Sequence, residues 1–340
     1  MSLIDDQNFM RLALRAAERG AGWTSPNPAV GAVIVKGGRV VATGWHRRAG
    51  EPHAEIEALC ALKNPADAKG ATIYVTLEPC CTHGRTPPCT DSIVAAGLRR
   101  VVFGATDPNP SHAGRAVGIL EKAGLRVSHG VLAEECAGLN PGFNHWVVTG
   151  LPLVIAKAGL SLDGRLTRPP GEGQWLTSEA SRRDAMKLRA SVDAVVIGAG
   201  TLRADNPHLT LRGVKGRQPL RVVLTRSGKL PEDAHLFTDE HRDQTLVYRG
   251  KSLRAVLRDL GQRGCTSVLI EGGGEVLGTA FDAKLVQRAV FYIAPILCGG
   301  PDVIKGRGAA ASSVAARLVA PVYRRVGGDI VVEGRVALPA

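Results

Sequence analysis

The sequence predicts an α/β protein with two domains. Its 340 residues exceed the usual size of one domain, and strand-like and helix-like segments alternate along most of the chain. A hydrophobic content of 44% and a charged content of 22% are typical of globular proteins with sizeable cores. A break near Thr149-Gly150-Leu151-Pro152 separates two such runs. We therefore expect one domain at residues 1–149 and a second at residues 150–340.

The first domain is predicted to alternate helices and strands. Asp5 or Asp6 can cap a first helix, and a helix after Pro52 carries His53 and Glu55 in its first turn. Alternating apolar residues around glycines predict a β-hairpin and a buried sheet. The other predicted elements are strands at 31–35, 40–44, 72–77 and 100–104 and helices at 90–96 and 116–123.

The second domain is predicted to contain five strands, at 153–158, 194–198, 220–224, 267–271 and 289–293. Gly272-Gly273-Gly274 follows the fourth strand and precedes a helix, where backbone N–H groups can approach a phosphate. The same pattern also occurs in turns that bind nothing, so the residues alone leave both interpretations open. Gly198-Ala199-Gly200 lacks the third glycine of a Rossmann fingerprint, because Arg203 stands there.

His53, Glu55, Cys80 and Cys89 are the most informative residues of the chain. One imidazole, two thiolates and an open position are how a catalytic zinc ion is held. In zinc deaminases, a glutamate two residues after the ligating histidine shuttles protons. The second half of their usual H-x-E…P-C-x-x-C signature is absent, because Cys80 and Cys89 are separated by eight residues. A structural zinc knuckle is the alternative interpretation.

The charge distribution argues against a nucleic-acid partner. The chain has a net charge of +12, but residues 1–150 carry 15 Lys/Arg and 13 Asp/Glu, whereas residues 151–340 carry 28 and 18. Aromatic residues make up only 4%, too few for a base-stacking platform. The basic excess is better explained by small phosphorylated ligands.

We expect no membrane partner, a cytoplasmic location without a signal peptide, and a homo-oligomer, either dimer or tetramer.

The stretch from Leu77-Glu78-Pro79-Cys80 to Thr86-Pro87-Pro88-Cys89, with Pro26-Asn27-Pro28 ahead of it, resembles the deaminase half of the bifunctional riboflavin-biosynthesis deaminase/reductases. The resemblance implies a cytidine-deaminase-like αβα domain. It also implies one Zn2+ on His53, Cys80 and Cys89, with Glu55 as the proton shuttle and Asn27 as a substrate contact. Arg85 is either a solvated loop charge or a substrate contact, and a cation beside the site suits a substrate phosphate. His83 stays unligated, and His46 is either a surface residue or a substrate contact. Cys81-Thr82 stands where many relatives have Ser-His.

Three further stretches, Ala158 to Arg165, Gln174 to Ser178 and Thr201 to Pro207, resemble the reductase half of the same family. This implies a dihydrofolate-reductase-like α/β domain that binds NADPH. The expected cofactor contacts are Gly159, Trp175, Thr201, Asp205, Ser227, Gly273, Gly274, Glu275, Val276, Leu277, Gly278 and Thr279. The expected substrate contacts are Gly173, Arg189, Leu209, Arg212 and Glu271, with Gly173 in a place where relatives often have Ser. Lys157 and Asp163 are left open between catalytic and structural roles.

Both halves together predict a bifunctional enzyme of riboflavin biosynthesis. The first half is expected to deaminate 2,5-diamino-6-(5-phosphoribosylamino)pyrimidin-4-one with zinc, and the second to reduce the ribosyl group to ribityl with NADPH. Arg226 and Ser227 follow a strand and suit the 2′-phosphate of NADPH. A cytosine- or tRNA-adenine-type deaminase fused to an unrelated binding domain is the first alternative. A zinc-stabilised binding module without enzymatic activity is the second.

Overall fold

The computed structural model of the protein describes residues 3–82, 87–166, 175–300 and 302–337. The chain forms two compact units, Met1–Gly150 and Leu151–Ala340. Two of the predicted substrate contacts, Arg85 and Gly173, lie outside the described residues, as does His83. Within the described ranges, no helix combines the length and the apolar character that a membrane span requires.

The first unit is built around a five-stranded sheet in the order β2-β1-β3-β4-β5. The two pairs that include β1 are antiparallel, whereas β3, β4 and β5 run parallel. Its strands are β1 (Gly31–Lys36), β2 (Arg39–Trp45), β3 (Thr72–Leu77), β4 (Arg100–Ala105) and β5 (Arg126–His129). Its helices are α1 (Leu3–Glu18), α2 (Ala54–Cys60), α3 (Cys89–Ala95), α4 (Arg115–Lys122), α5 (Ala133–Gly138) and α6 (Pro141–Thr149).

Asp6 plays a different part from the predicted helix cap. It lies inside α1, where its carboxylate accepts two hydrogen bonds from Arg100 at 2.8 and 2.7 Å and one from the Tyr74 hydroxyl at 2.7 Å. Although burial alone raises the pKa of Asp6, these bonds lower it below the usual value. The buried carboxylate therefore ties α1 to strands β3 and β4.

The second unit contains an eight-stranded sheet in the order β12-β13-β11-β6-β10-β7-β8-β9. The strands from β11 to β9 run parallel, and the β12-β13 hairpin adds to one edge in antiparallel fashion. The strands are β6 (Leu153–Ser161), β7 (Ala194–Gly198), β8 (Leu220–Thr225), β9 (Thr245–Arg249), β10 (Ser267–Ile270), β11 (Arg288–Ala294), β12 (Arg317–Val326) and β13 (Asp329–Ala337). The helices are α7 (Glu179–Ala190), α8 (Ala199–Asp205), α9 (His235–Thr238), α10 (Leu253–Gln262) and α11 (Gly274–Asp282).

The central strands were predicted because they are rich in apolar and β-branched residues, and the structure buries β3 and β10 along their whole length. The edge strands β5, β9 and β12 were missed, as was β13 beside the last of them. Each of these is partly exposed and carries polar residues, so none has the apolar run of a buried parallel strand. Helix α8, which was not predicted, ends before Asn206-Pro207, with Asn206 in the left-handed region at a φ of 38°.

Candidate active sites

In the first unit, two helix starts and one strand end bring the predicted metal ligands together. His53 is the N-cap residue of α2, and Cys89 is the first residue of α3. Cys80 follows the carboxyl end of β3, the edge at which α/β sheets bind ligands. Gly44 lets α2 approach strand β2, since a Cβ there would lie 2.2 Å from the backbone nitrogen of Ala58.

The three side chains fit a zinc ion. The Nδ1 atom of His53 lies 3.6 Å from Cys80 Sγ and 3.3 Å from Cys89 Sγ, and all three candidate ligand atoms lie within 4.8 Å of one another. Bonds of about 2.3 Å to sulfur and about 2.0 Å to nitrogen at tetrahedral angles put N and S ligand atoms roughly 3.5 Å apart. Hydrogen bonds from Cys89, together with the neighbouring His53, lower the pKa of the Cys80 thiol below its ordinary value. The described residues supply three ligands and leave a fourth position free.

Glu55 is buried beside this group, with only 3% of its surface exposed. Burial, together with the negative charge of Cys80, raises the pKa of Glu55 to about 7. The clustered ligand atoms are those of His53, Cys80 and Cys89, and the Glu55 carboxylate is not among them. A carboxylate that gains and loses a proton near neutral pH is suited to general acid–base catalysis.

His46 is buried, with 2% exposure, rather than lying on the surface. Its Nδ1 atom lies 3.0 Å from the carbonyl oxygen of Pro52, and its Nε2 atom lies 3.0 Å from Asn27 Nδ2. Because a carbonyl only accepts, Nδ1 carries the proton and Nε2 accepts from Asn27. The Asn27 carbonyl oxygen is then left to accept a hydrogen bond from a ligand.

Glu78 is a buried residue whose role the sequence analysis missed. Its carboxylate accepts hydrogen bonds from the backbone nitrogens of Asp107, Gly114 and Ala116 at 3.2, 2.9 and 3.0 Å. It therefore fixes the loop before α4 to the strand end that carries Cys80. The only sequence signal was its place next to Pro79-Cys80.

Cys81 lies outside the ligand group and packs partly buried against the hydrophobic core. Burial raises the pKa of its thiol. Thr82 Oγ1 lies 3.4 Å from His112 Nε2, a contact that the sequence did not predict. The two positions that depart from the resembling family are thus occupied by a core thiol and a hydroxyl beside an imidazole.

In the second unit, a large cleft of about 1430 Å³ opens along the carboxyl ends of β6, β7, β8 and β10. Most of the predicted ligand contacts that the structure describes line it. These are Gly159, Trp175, Thr201, Asp205, Ser227, Gly273, Gly274, Glu275, Val276, Leu277 and Thr279 for the cofactor, and Arg189, Leu209, Arg212 and Glu271 for the substrate. The sequence alone had left the Gly272-Gly273-Gly274 turn open between a binding role and a structural one.

Gly278 is the exception, because it packs against the backbone of the loop that follows β11. A Cβ at this position would lie 2.1 Å from the carbonyl oxygen of Lys305, so the glycine allows helix and loop to pack closely. Gly278 is not among the described residues that line the cleft.

Arg189 does not have the free guanidinium that bidentate phosphate binding requires. It donates two hydrogen bonds to the Glu271 carboxylate at 2.9 and 2.8 Å and a third to the Thr210 carbonyl oxygen at 2.8 Å. Burial alone raises the pKa of Glu271, but Arg189 and Lys157 lower it to about 2. The two predicted substrate contacts thus form a buried ion pair on the cleft floor. Lys157 Nζ lies 3.8 Å from the same carboxylate.

Asp163 connects two segments of the second unit through hydrogen bonds to its carboxylate. Its carboxylate accepts hydrogen bonds from the backbone nitrogens of Cys298 and Gly299 at 3.2 and 2.8 Å, and from the Ser161 hydroxyl. It joins the end of β6 to the loop after β11. Asp163 is not among the residues that line the cleft, whereas Lys157 is.

Comparison with known proteins assigns both units. A family model described as the RibD C-terminal domain matches residues 152–332, and one described as the cytidine and deoxycytidylate deaminase zinc-binding region matches residues 3–105. The riboflavin biosynthesis protein RibD of Actinobacillus pleuropneumoniae is 37% identical, covering 98% of this chain and 96% of that protein. RibD of Escherichia coli K12 is 40% identical, covering 87% and 89%.

This chain belongs to the RibD family. A solved structure of Acinetobacter baumannii RibD matches with a TM-score of 0.90 at 35% identity, covering 99% of this chain and 100% of that one. A Thermotoga maritima structure, described as a diaminohydroxyphosphoribosylaminopyrimidine deaminase/5-amino-6-(5-phosphoribosylamino)uracil reductase, matches with a TM-score of 0.88 at 33% identity, covering 98% and 99%.

Membership of the RibD family confirms several predictions. The fold class, a deaminase-like domain followed by a reductase domain, is confirmed, as is a bifunctional enzyme of riboflavin biosynthesis. Zinc and NADPH as cofactors agree with the zinc-binding deaminase region, the RibD reductase domain and the candidate His/Cys/Cys group. The family acts on small molecules, as expected. The individual residue roles remain predictions.

Proposed function

We propose that the chain performs two successive reactions, with the domain of residues 1–149 as the deaminase and that of residues 150–340 as the reductase. The substrate of the first is 2,5-diamino-6-(5-phosphoribosylamino)pyrimidin-4-one. The observation that carries the proposal is the triangle of His53, Cys80 and Cys89 beside buried Glu55, in a chain whose other unit has a cleft lined by the expected cofactor contacts.

In the deaminase unit, His53 Nδ1 and the thiolates of Cys80 and Cys89 would hold zinc. When bound, zinc lowers the pKa of water so that hydroxide is available near neutral pH. Glu55 accepts a proton at its carboxylate and delivers it to the departing amino nitrogen, and ammonia leaves. Asn27 accepts a hydrogen bond from the pyrimidine, in the orientation set by His46. We assign Arg85 to the substrate phosphate because of its cationic charge.

In the reductase unit, the cleft residues that include Thr201, Gly273 and Gly274 would hold NADPH, which would supply a hydride to the anomeric carbon of the ribosyl group. The hydride reaches that carbon only when the sugar ring is open, so the site must favour the open imine form. The carbon–nitrogen double bond becomes a single bond, and the nitrogen gains a proton. Buried Glu271, held by Arg189 and near Lys157, provides a fixed polar floor for this step.

Cofactor contacts are proposed for the predicted residues that line the cleft, and Gly278 is left out because it packs against the Lys305 backbone. Leu209 and Arg212 are proposed to contact the substrate directly. Arg189 acts through Glu271, because its guanidinium is already bonded. Gly173 is retained as a substrate contact on the family resemblance alone. We also propose a cytoplasmic location and a homo-oligomer, by analogy with the expected enzyme class.

The test is incubation of the purified full chain with the diaminopyrimidinone phosphate, with and without NADPH, followed by mass analysis. We expect the deaminated ribosyl product without NADPH and the deaminated ribityl product with it. Glu55→Gln should stop the first reaction but still reduce substrate that was deaminated beforehand. An unchanged substrate under both conditions would contradict the proposal. Deamination of cytidine or of tRNA adenine instead would favour the first alternative.

A further inference from the structure

Two stacked histidines line the cleft of the second unit. The rings of His208 and His235 lie 3.9 Å apart between centroids at an interplanar angle of 11°, and both residues line the cleft. They come from separate segments, one after α8 and the other at the start of α9. Neither residue belongs to the cofactor or substrate contacts assigned above.

The segment that carries His208 is held in an unusual backbone conformation. Asn206 and Leu209 have φ angles of 38° and 54°, in the left-handed region that non-glycine residues rarely adopt. Such conformations persist where the surrounding structure fixes them, and they concentrate at ligand sites. The Asn206 side-chain oxygen accepts a hydrogen bond from the backbone nitrogen of His235 at 2.9 Å. The two histidine segments are therefore joined directly.

A buried arginine joins them a second time. The side chain of Arg221 is 1% exposed and donates to the His208 carbonyl oxygen at 3.1 Å and to the Leu236 carbonyl oxygen at 3.0 Å. It also donates to both carboxylate oxygens of Asp239 at 2.6 and 2.8 Å. Burying a guanidinium is unfavourable unless it is well bonded, so the site is built rather than incidental.

The contact with Asp239 defines the orientation of the His208 ring. His208 Nδ1 lies 3.7 Å from a carboxylate oxygen of Asp239, so its Nε2 is at the opposite edge of the ring. A neutral imidazole donates a hydrogen bond from one ring nitrogen and accepts with the other. Arg203 and Arg212 line the same cleft and add positive charge. Histidine and arginine N–H donors together suit an oxyanion with several acceptor atoms.

We propose that His208 and His235 form a phosphate-binding pair in the reductase cleft. This rests on the proposed function, which brings two phosphate-bearing ligands to the cleft. The phosphate comes from one of three sources: the phosphoribosyl group of the substrate, the 2′-phosphate of NADPH or the cofactor pyrophosphate. All three offer the same oxyanion chemistry, and kinetics separate them.

The experiment compares full-length His208→Asn and His235→Asn with wild type, using His241→Asn as the matched control. His241 is in the same region but is not among the described residues that line the cleft. KM is measured for the deaminated phosphoribosyl substrate, for NADPH and for NADH, which lacks the 2′-phosphate. Deaminase activity and thermal unfolding report whether each variant is folded. If His208→Asn is unfolded, His235→Asn decides the test, because the contact with the Asp239 carboxylate is made by the His208 ring.

We expect KM for one ligand to rise about tenfold in each variant, the loss typical of one charge-assisted hydrogen bond. A rise for the substrate alone assigns the phosphoribosyl group, and a rise for NADPH but not NADH assigns the 2′-phosphate. Equal rises for both cofactors assign the pyrophosphate. KM values within about twofold of His241→Asn for all three ligands overturn the proposal. Absence of NADPH-dependent reduction in wild type would instead contradict the proposed function.

Discussion

The two units of this RibD-family chain carry sites of different kinds. In the first unit, three ligand atoms from His53, Cys80 and Cys89 form a compact group beside one buried carboxylate. In the second, the cleft draws residues from Lys157 to Lys305. A metal site requires particular side chains, whereas a nucleotide cleft is shaped largely by backbone and glycine positions. The consequences of mutation should differ accordingly.

The largest effect is expected from removing a metal ligand. Cys80→Ser and Cys89→Ser should lose zinc and deaminase activity, because a catalytic zinc ion needs all three protein ligands. Cys81→Ser is the matched control and should keep both, since its thiol packs against the core. Metal content by mass spectrometry and deaminase rate are measured together. Zinc loss in folded Cys81→Ser would overturn the ligand assignment.

The next effect concerns the proton shuttle of the first unit. Glu55→Gln keeps the size of the side chain and removes the base, so deaminase turnover should fall by ~10²–10⁴. Zinc content and reduction of previously deaminated substrate should stay at wild-type levels, which shows that the loss is local. A Glu55→Gln variant that deaminates at a near-normal rate would exclude the role of Glu55.

In the second unit, Glu271→Gln should act mainly through stability. It leaves the Arg189 charge buried without its partner, which costs about 3–5 kcal/mol. Urea unfolding, monitored by the decline of reductase activity, should show a lower midpoint for Glu271→Gln than for wild type. Glu275→Gln is the control, because Glu275 is 74% exposed and its change should cost less than about 0.5 kcal/mol. Equal midpoints for the two variants would show that the buried pair contributes little.

The same ion pair predicts a pH dependence of stability. The folded pKa of Glu271 is about 2, below the ordinary value of 4.5. The carboxylate therefore stabilises the fold fully above about pH 4.5, and this contribution, roughly 3 kcal/mol, is lost as the pH falls towards 2. Unfolding free energies between pH 6 and 3 should decline more steeply for wild type than for Glu271→Gln. Parallel declines would contradict the assignment.

The smallest expected effect concerns cofactor choice. The chain should prefer NADPH to NADH, and Arg226→Ala or Ser227→Ala should reduce the ratio of their kcat/KM values by about tenfold or less. Arg226 is 93% exposed and lies 3.6 Å from Glu275, so solvent screens it. Arg242→Ala is the control, because Arg242 is a cation outside the described residues that line the cleft. If the preference for NADPH survives both substitutions, other residues recognise the 2′-phosphate. If wild type uses NADPH and NADH equally well, the predicted preference is wrong.

Much of the fold was predictable, because the central strands are apolar along their length. Strand β3 was predicted with the same bounds that the structure has, and the hairpin of β1 and β2 was predicted within one or two residues. The edge strands β5, β9 and β12 were not predicted. Edge strands pair on one side only and tolerate polar residues, so their sequences carry little strand signal.

The two sites also differ in how much of them could be predicted from the sequence. His53, Glu55, Cys80 and Cys89 were identified because their types and order have few other uses. The cleft residues were named by family resemblance, which did not indicate that Arg189 donates two hydrogen bonds to Glu271. No local pattern indicates that a residue will meet another 82 positions away.

The sequence by itself determined the α/β class, the zinc-type ligand set and the family, because each depends on residue types and short spacings. Tertiary structure decided which atoms face one another. It buried His46 against Asn27 and Pro52, packed Gly278 against the Lys305 backbone, and stacked His208 on His235. These contacts join segments that are distant along the chain, and only the packing of strands and loops fixes their distances and directions.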